Sequence, residues 1–240
     1  MQAPGLPDPL DFAPWRLSGT VVGALLNHRA EWAALGAAVE APPYKGAARA
    51  PVLQVKPRNT LVGSGAAVAV PPGAAGLDLG ATLAIVIGRT ACRVAPAEAL
   101  AHVAGYTLAA DLAVAQEGTA RHYRPGVRWR ARDGFCPLGP RVVPAAALPE
   151  PDALTIEVQV DGRSVQRAGT GERVRPVAAL LAEVSTFMTL QPGDLLLLGA
   201  APGAPRVQAG QRVALSLPAI GTLAFTLVPE PAIEVPEQRP

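Results

Sequence analysis

Two short basic stretches hold the side chains best suited to an anionic ligand. In Lys56-Pro57-Arg58-Asn59-Thr60, the cations Lys56 and Arg58 flank a proline at the end of a strand, where ligand-binding groups often project from a scaffold. In Arg130-Ala131-Arg132-Asp133, guanidinium forks suit bidentate capture of carboxylates. The same residues support a plainer reading, an Arg–Asp ion network at a domain or subunit contact. Lys56 and Arg130 fit either role, and Arg132 with Asp133 fit the network better.

Other reactive types lack the context that chemistry needs. Five arginines lie between Arg121 and Arg132, with His122, Tyr123 and Trp129 interleaved, a mixture used on single-stranded nucleic acid. The net charge is only +2 and no nucleic-acid motif accompanies them, so no such partner is expected. Nothing near Cys136 in the sequence would lower its pKa, so it reads as a small buried thiol. His28, His102 and His122 lack metal-ligand spacing. Gly63-Ser64-Gly65 lacks the strand–turn–helix setting of a phosphate loop.

The elements that must position these groups alternate in type. Asn27 is placed to cap a helix carrying Trp32, Leu35 and Val39, which Pro42-Pro43 ends. Val52 to Val55 is a short strand. Leu83 to Ile87 is an unbroken apolar run closed by Gly88, as in a buried strand. Pro96 starts a short helix through Val103. Leu154 to Val160 alternates with period two and ends in an Asp161-Gly162 turn. Pro176 opens a helix with Leu180, Leu181, Val184, Phe187 and Met188 on one side. Pro192-Gly193-Asp194 turns into the strand Leu195 to Leu198, and strands near Val213–Leu217 and Leu223–Val228 follow. Many strands, few helices and no βαβ rhythm predict an α+β domain, with a few helices flanking sheets packed in layers.

Length and composition bound the rest. At 240 residues, half of them hydrophobic, the chain supports one well-cored domain over 19–228, with a Pro-rich lead-in at 1–18 and a Pro-containing tail at 229–240. The N-terminus has no basic and apolar signal-peptide regions, and no uncharged apolar run approaches the roughly twenty residues that span a bilayer. Two cysteines without a secretory pattern fit a reducing, cytoplasmic setting.

Five segments in register carry a resemblance. They are Lys56-Pro57-Arg58-Asn59-Thr60, Gly80-Ala81-Thr82-Leu83 running to Gly88, Ala104-Gly105-Tyr106-Thr107 followed by Asp111, Arg132-Asp133-Gly134-Phe135-Cys136-Pro137, and Phe187-Met188-Thr189-Leu190 followed by Pro192-Gly193-Asp194. Their order and spacing resemble the fumarylacetoacetate hydrolase family over roughly residues 20–228. Within it, Asn27-His28-Arg29, Pro43-Tyr44-Lys45 and Gly80-Ala81-Thr82 resemble the N-terminal half of the decarboxylase/isomerases of 4-hydroxyphenylacetate (homoprotocatechuate) breakdown.

The resemblance implies a metal site with a checkable logic. A Glu-x-Glu pair on a strand puts two carboxylates on one face, and a downstream Asp completes an oxygen site for Mg²⁺ or Mn²⁺. The cation acts as a Lewis acid on a 2-oxo acid. Here Gly80 and Thr82 occupy the paired positions and only Asp111 remains, so no metal is expected in this chain, and Asp111 reads as a turn or hydrogen-bonding Asp at a strand end. Where relatives carry a His and a Glu three residues apart, this chain has Glu31 and Ala34; Glu31 reads as solvated helix surface, with proton transfer as the sharper alternative. Leu198-Gly199-Ala200-Ala201 replaces a Thr-Gly-Thr-Pro segment.

By resemblance the substrates are multiply carboxylated 2-oxo or 2-hydroxy unsaturated acids. Lys56, Arg58, Asn59, Arg130 and Asp133 are the candidate contacts, and Lys56, Arg130 and Glu31 the candidate catalytic groups. The resemblance also implies an oligomer, with itself or with a paralogous metal-binding subunit that carries the Mg²⁺ or Mn²⁺.

Overall fold

The computed structural model describes residues 19–42, 45–115 and 126–231. The lead-in 1–18, Pro43-Tyr44, the arginines Arg121 and Arg124 with His122 and Tyr123, and tail residues 232–240 lie outside the described residues.

In chain order, β1 (Val21–Leu25) leads through α1 (Arg29–Leu35) to β2 (Val52–Lys56), β3 (Leu61–Val62), β4 (Ala67–Val70), β5 (Leu77–Ile87) and β6 (Val103–Val114). The short helix α2 (Val127–Arg130) precedes β7 (Cys136–Pro144), β8 (Thr155–Val160) and β9 (Arg163–Gly169). Then come α3 (Val177–Ser185), β10 (Leu195–Leu197), β11 (Arg206–Val207), β12 (Arg212–Leu217) and β13 (Gly221–Pro229). One sheet has the order β2-β1-β10-β5-β6-β7-β3, with β11 added to β5; the other runs β4-β13-β12-β8-β9. The α+β architecture agrees with the alternation read from the sequence.

The first sheet is rolled. Its two ends in strand order, β2 and β3, are separated in sequence only by Pro57 and the 3₁₀ turn Arg58–Thr60. The ammonium of Lys56 on β2 reaches across to the carbonyls of Leu112 on β6 at 3.0 Å and of Phe135 at 3.2 Å. Strand alternation then divides the sheet into two faces. Leu77, Leu79, Leu83, Ile85 and Ile87 of β5 join the main core, which also takes side chains from the second sheet and from α3. Ala84 and Val86 face the other way, onto a smaller cluster with Val21, Ala109, Cys136, Leu138, Leu195 and Leu197. Burial on both faces is why β5 reads as an unbroken apolar run.

Local chemistry explains two boundaries. At the β8–β9 turn, Asp161 and Gly162 both have positive φ, 51° and 78°, as an Asp-Gly two-residue hairpin turn requires. Helix α3 starts after Pro176, and the Asp152 carboxylate accepts from its first free N–H, on Val177, at 3.0 Å. Burial nevertheless pushes the Asp152 carboxyl upward, against the pull of that hydrogen bond and of Arg173.

Three expectations are corrected. His28, not Asn27, caps α1: its imidazole accepts from Ala30 N–H at 3.2 Å. Asn27 instead clamps three segments, donating to the carbonyls of Arg175 and Leu198 and accepting from Arg175 N–H. The segment after Pro96 makes only a 3₁₀ turn, Ala99–His102, because Val103 already begins β6, which pairs with β5 along nearly its whole length. Helix α3 ends at Ser185, so Phe187 falls beyond it and is 62% exposed rather than part of the buried side.

Candidate functional site

The polar centre of the rolled sheet is built on register. Cross-strand pairing sets Gly80 on β5 opposite Asp111 on β6. Period two puts Gln54 and Lys56 of β2 on one face together, and the curl of the sheet carries that face to Asp111. Lys56 Nζ lies 2.6 Å from Asp111 Oδ1, its side chain fully buried. It also reaches the carbonyl oxygen of Arg130 at 3.2 Å, in addition to those of Leu112 and Phe135. Gln54 donates to Asp111 Oδ2 and accepts from Arg130 Nη1 at 3.1 Å. Arg130 Nη1 is itself 3.6 Å from Asp111 Oδ2. One carboxylate thus meets two cations and an amide.

The electrostatics follow from this packing. Burial pushes the Asp111 carboxyl upward, but Lys56, Arg130 and the hydrogen bonds from Lys56 and Gln54 outweigh it and hold the group below the usual carboxylate range. Cys136 is buried nearby, and desolvation pushes its thiol up to about 12, so it is inert at neutral pH.

A cleft of about 50 Å³ opens beside this centre, lined by Glu31, Asp78, Gly80, Asp111, Arg130 and Ala200 among others. Gly80 faces a crowded floor: a Cβ there would lie 3.0 Å from both Ala200 Cβ and the Asp111 carbonyl oxygen. Thr82 is buried and donates to the Gly199 carbonyl at 3.0 Å. Gly199 has φ +100°, and a Cβ on it would meet the Ala24 carbonyl at 2.9 Å. Behind that loop, Arg173 donates to the carbonyls of Thr170, Ala200 and Gly169 at 3.2, 3.0 and 2.8 Å. Burial lowers its pKa to about 10, opposed by Glu31 and Asp152.

The structure brings some of the expected residues together and leaves others apart. Asp111 sits within β6, not at a strand end, and is a buried charge centre rather than a turn residue. Glu31 is half-buried at the cleft, not solvated surface. Lys56 holds Asp111 from behind. Arg58 and Asn59 are exposed; Asn59 braces Ala131 and Asp133 at 3.0 and 2.7 Å, and Arg132 pairs with Glu230 at 2.6 Å. Arg132 is therefore held in an ion pair, while Asp133 is held by the Asn59 amide. Within Arg121–Arg132, Arg128 stacks 5.0 Å from the neighbouring Trp129 ring. Gln54, Asp78 and Arg173 were not singled out from the sequence. Period two before Lys56 points to Gln54, whereas nothing local points to Arg173.

Mg²⁺ or Mn²⁺, implied by the resemblance, is a poor match for these donors. Gly80 supplies none, the Thr82 hydroxyl is spent on Gly199, and the Asp111 oxygens already meet Lys56, Gln54 and Arg130. Hard divalent cations require clustered anionic oxygens. Among the described residues no three His, Cys, Asp or Glu side chains are grouped to hold a metal ion. No helix among them is long and apolar enough to cross a membrane.

Comparison with known proteins places this architecture. The 4-hydroxyphenylacetate degradation bifunctional isomerase/decarboxylase of Escherichia coli is 39% identical over 197 residues, covering 82% of this chain. The match covers 44% of that protein, so the chain spans less than half the length of this curated relative. The 2-hydroxyhepta-2,4-diene-1,7-dioate isomerase of Mycobacterium marinum superposes with TM-score 0.72 at 29% identity, covering 90% of this chain and 77% of that one. The fumarylpyruvate hydrolase of Pseudomonas aeruginosa, in complex with Mn²⁺ and pyruvate, gives 0.75 at 25% identity, covering 88% and 90%. The profile described as fumarylacetoacetate (FAA) hydrolase C-terminal matches residues 20–228. The chain belongs to the fumarylacetoacetate hydrolase family.

Proposed function

We propose that this chain is the N-terminal-type subunit of a 4-hydroxyphenylacetate-pathway decarboxylase/isomerase, working with a paralogous subunit that carries the metal. The two-part enzyme would decarboxylate 5-oxopent-3-ene-1,2,5-tricarboxylate and isomerise 2-hydroxyhepta-2,4-diene-1,7-dioate. One observation carries the division of labour: Asp111 stands without carboxylates at 80 and 82 and is already neutralised by Lys56. Metal-dependent decarboxylation with Mg²⁺ or Mn²⁺ then resides in the partner, and this chain supports assembly and shapes the pocket. The test is to assay this chain, the paralogue and their mixture on the tricarboxylate with Mg²⁺, measuring bound metal in each. Full decarboxylation by this chain alone would overturn the reading.

A second reading is favoured by Arg130 and Glu31 lining one cleft. The chain would then act alone as a metal-independent isomerase, with Lys56 and Arg130 stabilising charge and Glu31 moving the proton. Isomerisation of the dienedioate in excess EDTA would support it. Unchanged activity in both Lys56→Ala and Arg130→Ala would end it.

A further inference from the structure

Helix α1 is held mainly by its ends. It is seven residues long and none of its residues is buried. A helix that short is marginal in water on its own, so it persists through local fasteners. At its C-terminal end, Gly36 N–H donates to the Trp32 carbonyl, and Val39 is buried just beyond. The Trp32 indole donates to the Leu26 carbonyl at 2.7 Å. On either side of His28 the backbone is tied to the segment before α3. Arg29 N–H meets the Glu172 carbonyl at 2.9 Å, and Val174 N–H meets the Asn27 carbonyl at 3.1 Å. The His28 imidazole then caps the first turn.

Of these fasteners, the imidazole cap is the one that titrates between about pH 5 and 8. Nδ1 accepts from Ala30 N–H at 3.2 Å, so it carries a lone pair and the proton sits on Nε2. Protonating Nδ1 would set a donor against a donor. The charged groups around the ring are Glu172 and Arg173 from the segment before α3, and Arg29 and Glu31 from α1 itself. Neither β1 nor the 198–201 loop brings a titratable side chain. Burial first, and Arg173 second, hold the ring below its ordinary pKa of 6.5, against Glu172 at 4.0 Å from Nε2. The first turn is also a wall: Glu31 lines the cleft, together with Leu25 and Leu26 just before the cap.

We propose that His28 is a pH-sensitive latch on α1: neutral, it holds the first turn and Glu31 at the cleft, and protonated, it releases that wall while the sheets stay folded. Proton uptake is opposed in the latched state and unopposed once the turn is free. Acid therefore favours release as pH falls below 6.5. The latch holds under either functional reading, because it is read by amide exchange and not by activity.

Hydrogen exchange of the full chain, followed by mass spectrometry at about pH 8 and about pH 5.5 with the intrinsic effect of pH divided out, tests it. Protection over residues 30–35 should fall about fivefold or more in acid, the worth of one side-chain cap, while β5 and β6 keep theirs. His28→Asn supplies a cap that does not titrate, so its protection over 30–35 should be equal at both pH values. Glu172→Gln removes the carboxylate that favours the protonated ring in the latched state, and should deepen the acid loss. Equal protection at both pH values in the unaltered chain would overturn the proposal, as would an acid loss of the same size in His28→Asn. A loss shared by β5 and β6 would overturn it too, since the whole fold would then be opening.

Discussion

Replacing Asp111 with Asn tests the buried centre most directly. The side chain keeps its size, and the amide oxygen can still accept one hydrogen bond, so the change removes charge more than volume. Lys56 then keeps its carbonyl partners at Leu112, Arg130 and Phe135 but loses its counter-ion at 2.6 Å while fully buried. Arg130 loses the same anion at 3.6 Å. Removing one partner of a buried pair costs about 3–5 kcal/mol, because a charge is left buried without compensation. For a chain of this size about 1 kcal/mol corresponds to roughly 2–4 °C, so the melting temperature should fall by about 6–20 °C. The loss is a sizeable part of a typical total stability of about 5–15 kcal/mol.

Thermal and urea unfolding followed by circular dichroism measure it, and the cycle with Lys56→Met isolates the pair. The double variant Lys56→Met/Asp111→Asn strands neither charge, so it should be more stable than the sum of the single losses, by about 1–3 kcal/mol. The pH dependence has a fixed sign. Asp111 titrates below its ordinary value of 3.8, so its contribution is present above that value and lost as pH falls through the lower native pKa. The acid limb of the stability curve should therefore flatten in Asp111→Asn. A single variant within about 1 kcal/mol of the parent, or strict additivity in the cycle, would refute the reasoning.

Three further outcomes follow from particular contacts. His28 is held neutral, its pKa lowered from 6.5 by burial and then by Arg173, against Glu172; its stabilising cap is present above 6.5 and lost as pH falls below it, so His28→Ala should cost about 1 kcal/mol at pH 8 and less at pH 5, read by urea midpoints. Gly80→Ala places a Cβ 3.0 Å from Ala200 Cβ and the Asp111 carbonyl, and should cost about 1–3 kcal/mol by thermal unfolding as an overpacked core change. Arg173→Met leaves the carbonyls of Thr170, Gly169 and Ala200 without their donor, and should cost about 3 kcal/mol or more, with faster hydrogen exchange across the 199–201 loop.

The strands were legible where one physical cause dominated. Burial on both faces wrote an apolar run into β5, and a one-sided strand wrote period two into β8. The start of β6 was hidden because Val103 follows a proline-led turn that mimics a helix start, and only pairing with β5 decides the matter. At the site, family register gave Asp111, Lys56 and Arg130 without saying how they meet. That depends on the curl bringing β2 beside β6, a long-range fact with no local sequence signal. Hence Lys56 looked like a ligand contact and lies behind Asp111, while Glu31 looked like solvated surface and lines the cleft. Asn59 and Asp133 were candidates by resemblance, and the fold joins them in one hydrogen bond at 2.7 Å.

The crowding at Gly80 bears on how the family's metal chemistry and this cleft relate. A carboxylate at position 80 needs more than a codon change, since even its Cβ would press on Ala200 and on the Asp111 carbonyl. Ala200 belongs to a loop pinned from two sides, by Thr82 on Gly199 and by Arg173 on Ala200 itself. Thr82 holds that loop with the very side chain that would have to become the second carboxylate. The absent Glu-x-Glu pair and the altered Leu198-Gly199-Ala200-Ala201 segment are therefore one packing solution: the floor sits where ligands would project, and the hydroxyl at 82 fastens it there. Restoring Glu at 80 and 82 together should then fail to create a tight Mn²⁺ site, as titrated by calorimetry, unless the 198–201 segment is changed with them. Tight binding by the simple double variant would show that the floor yields easily and that the departures are independent.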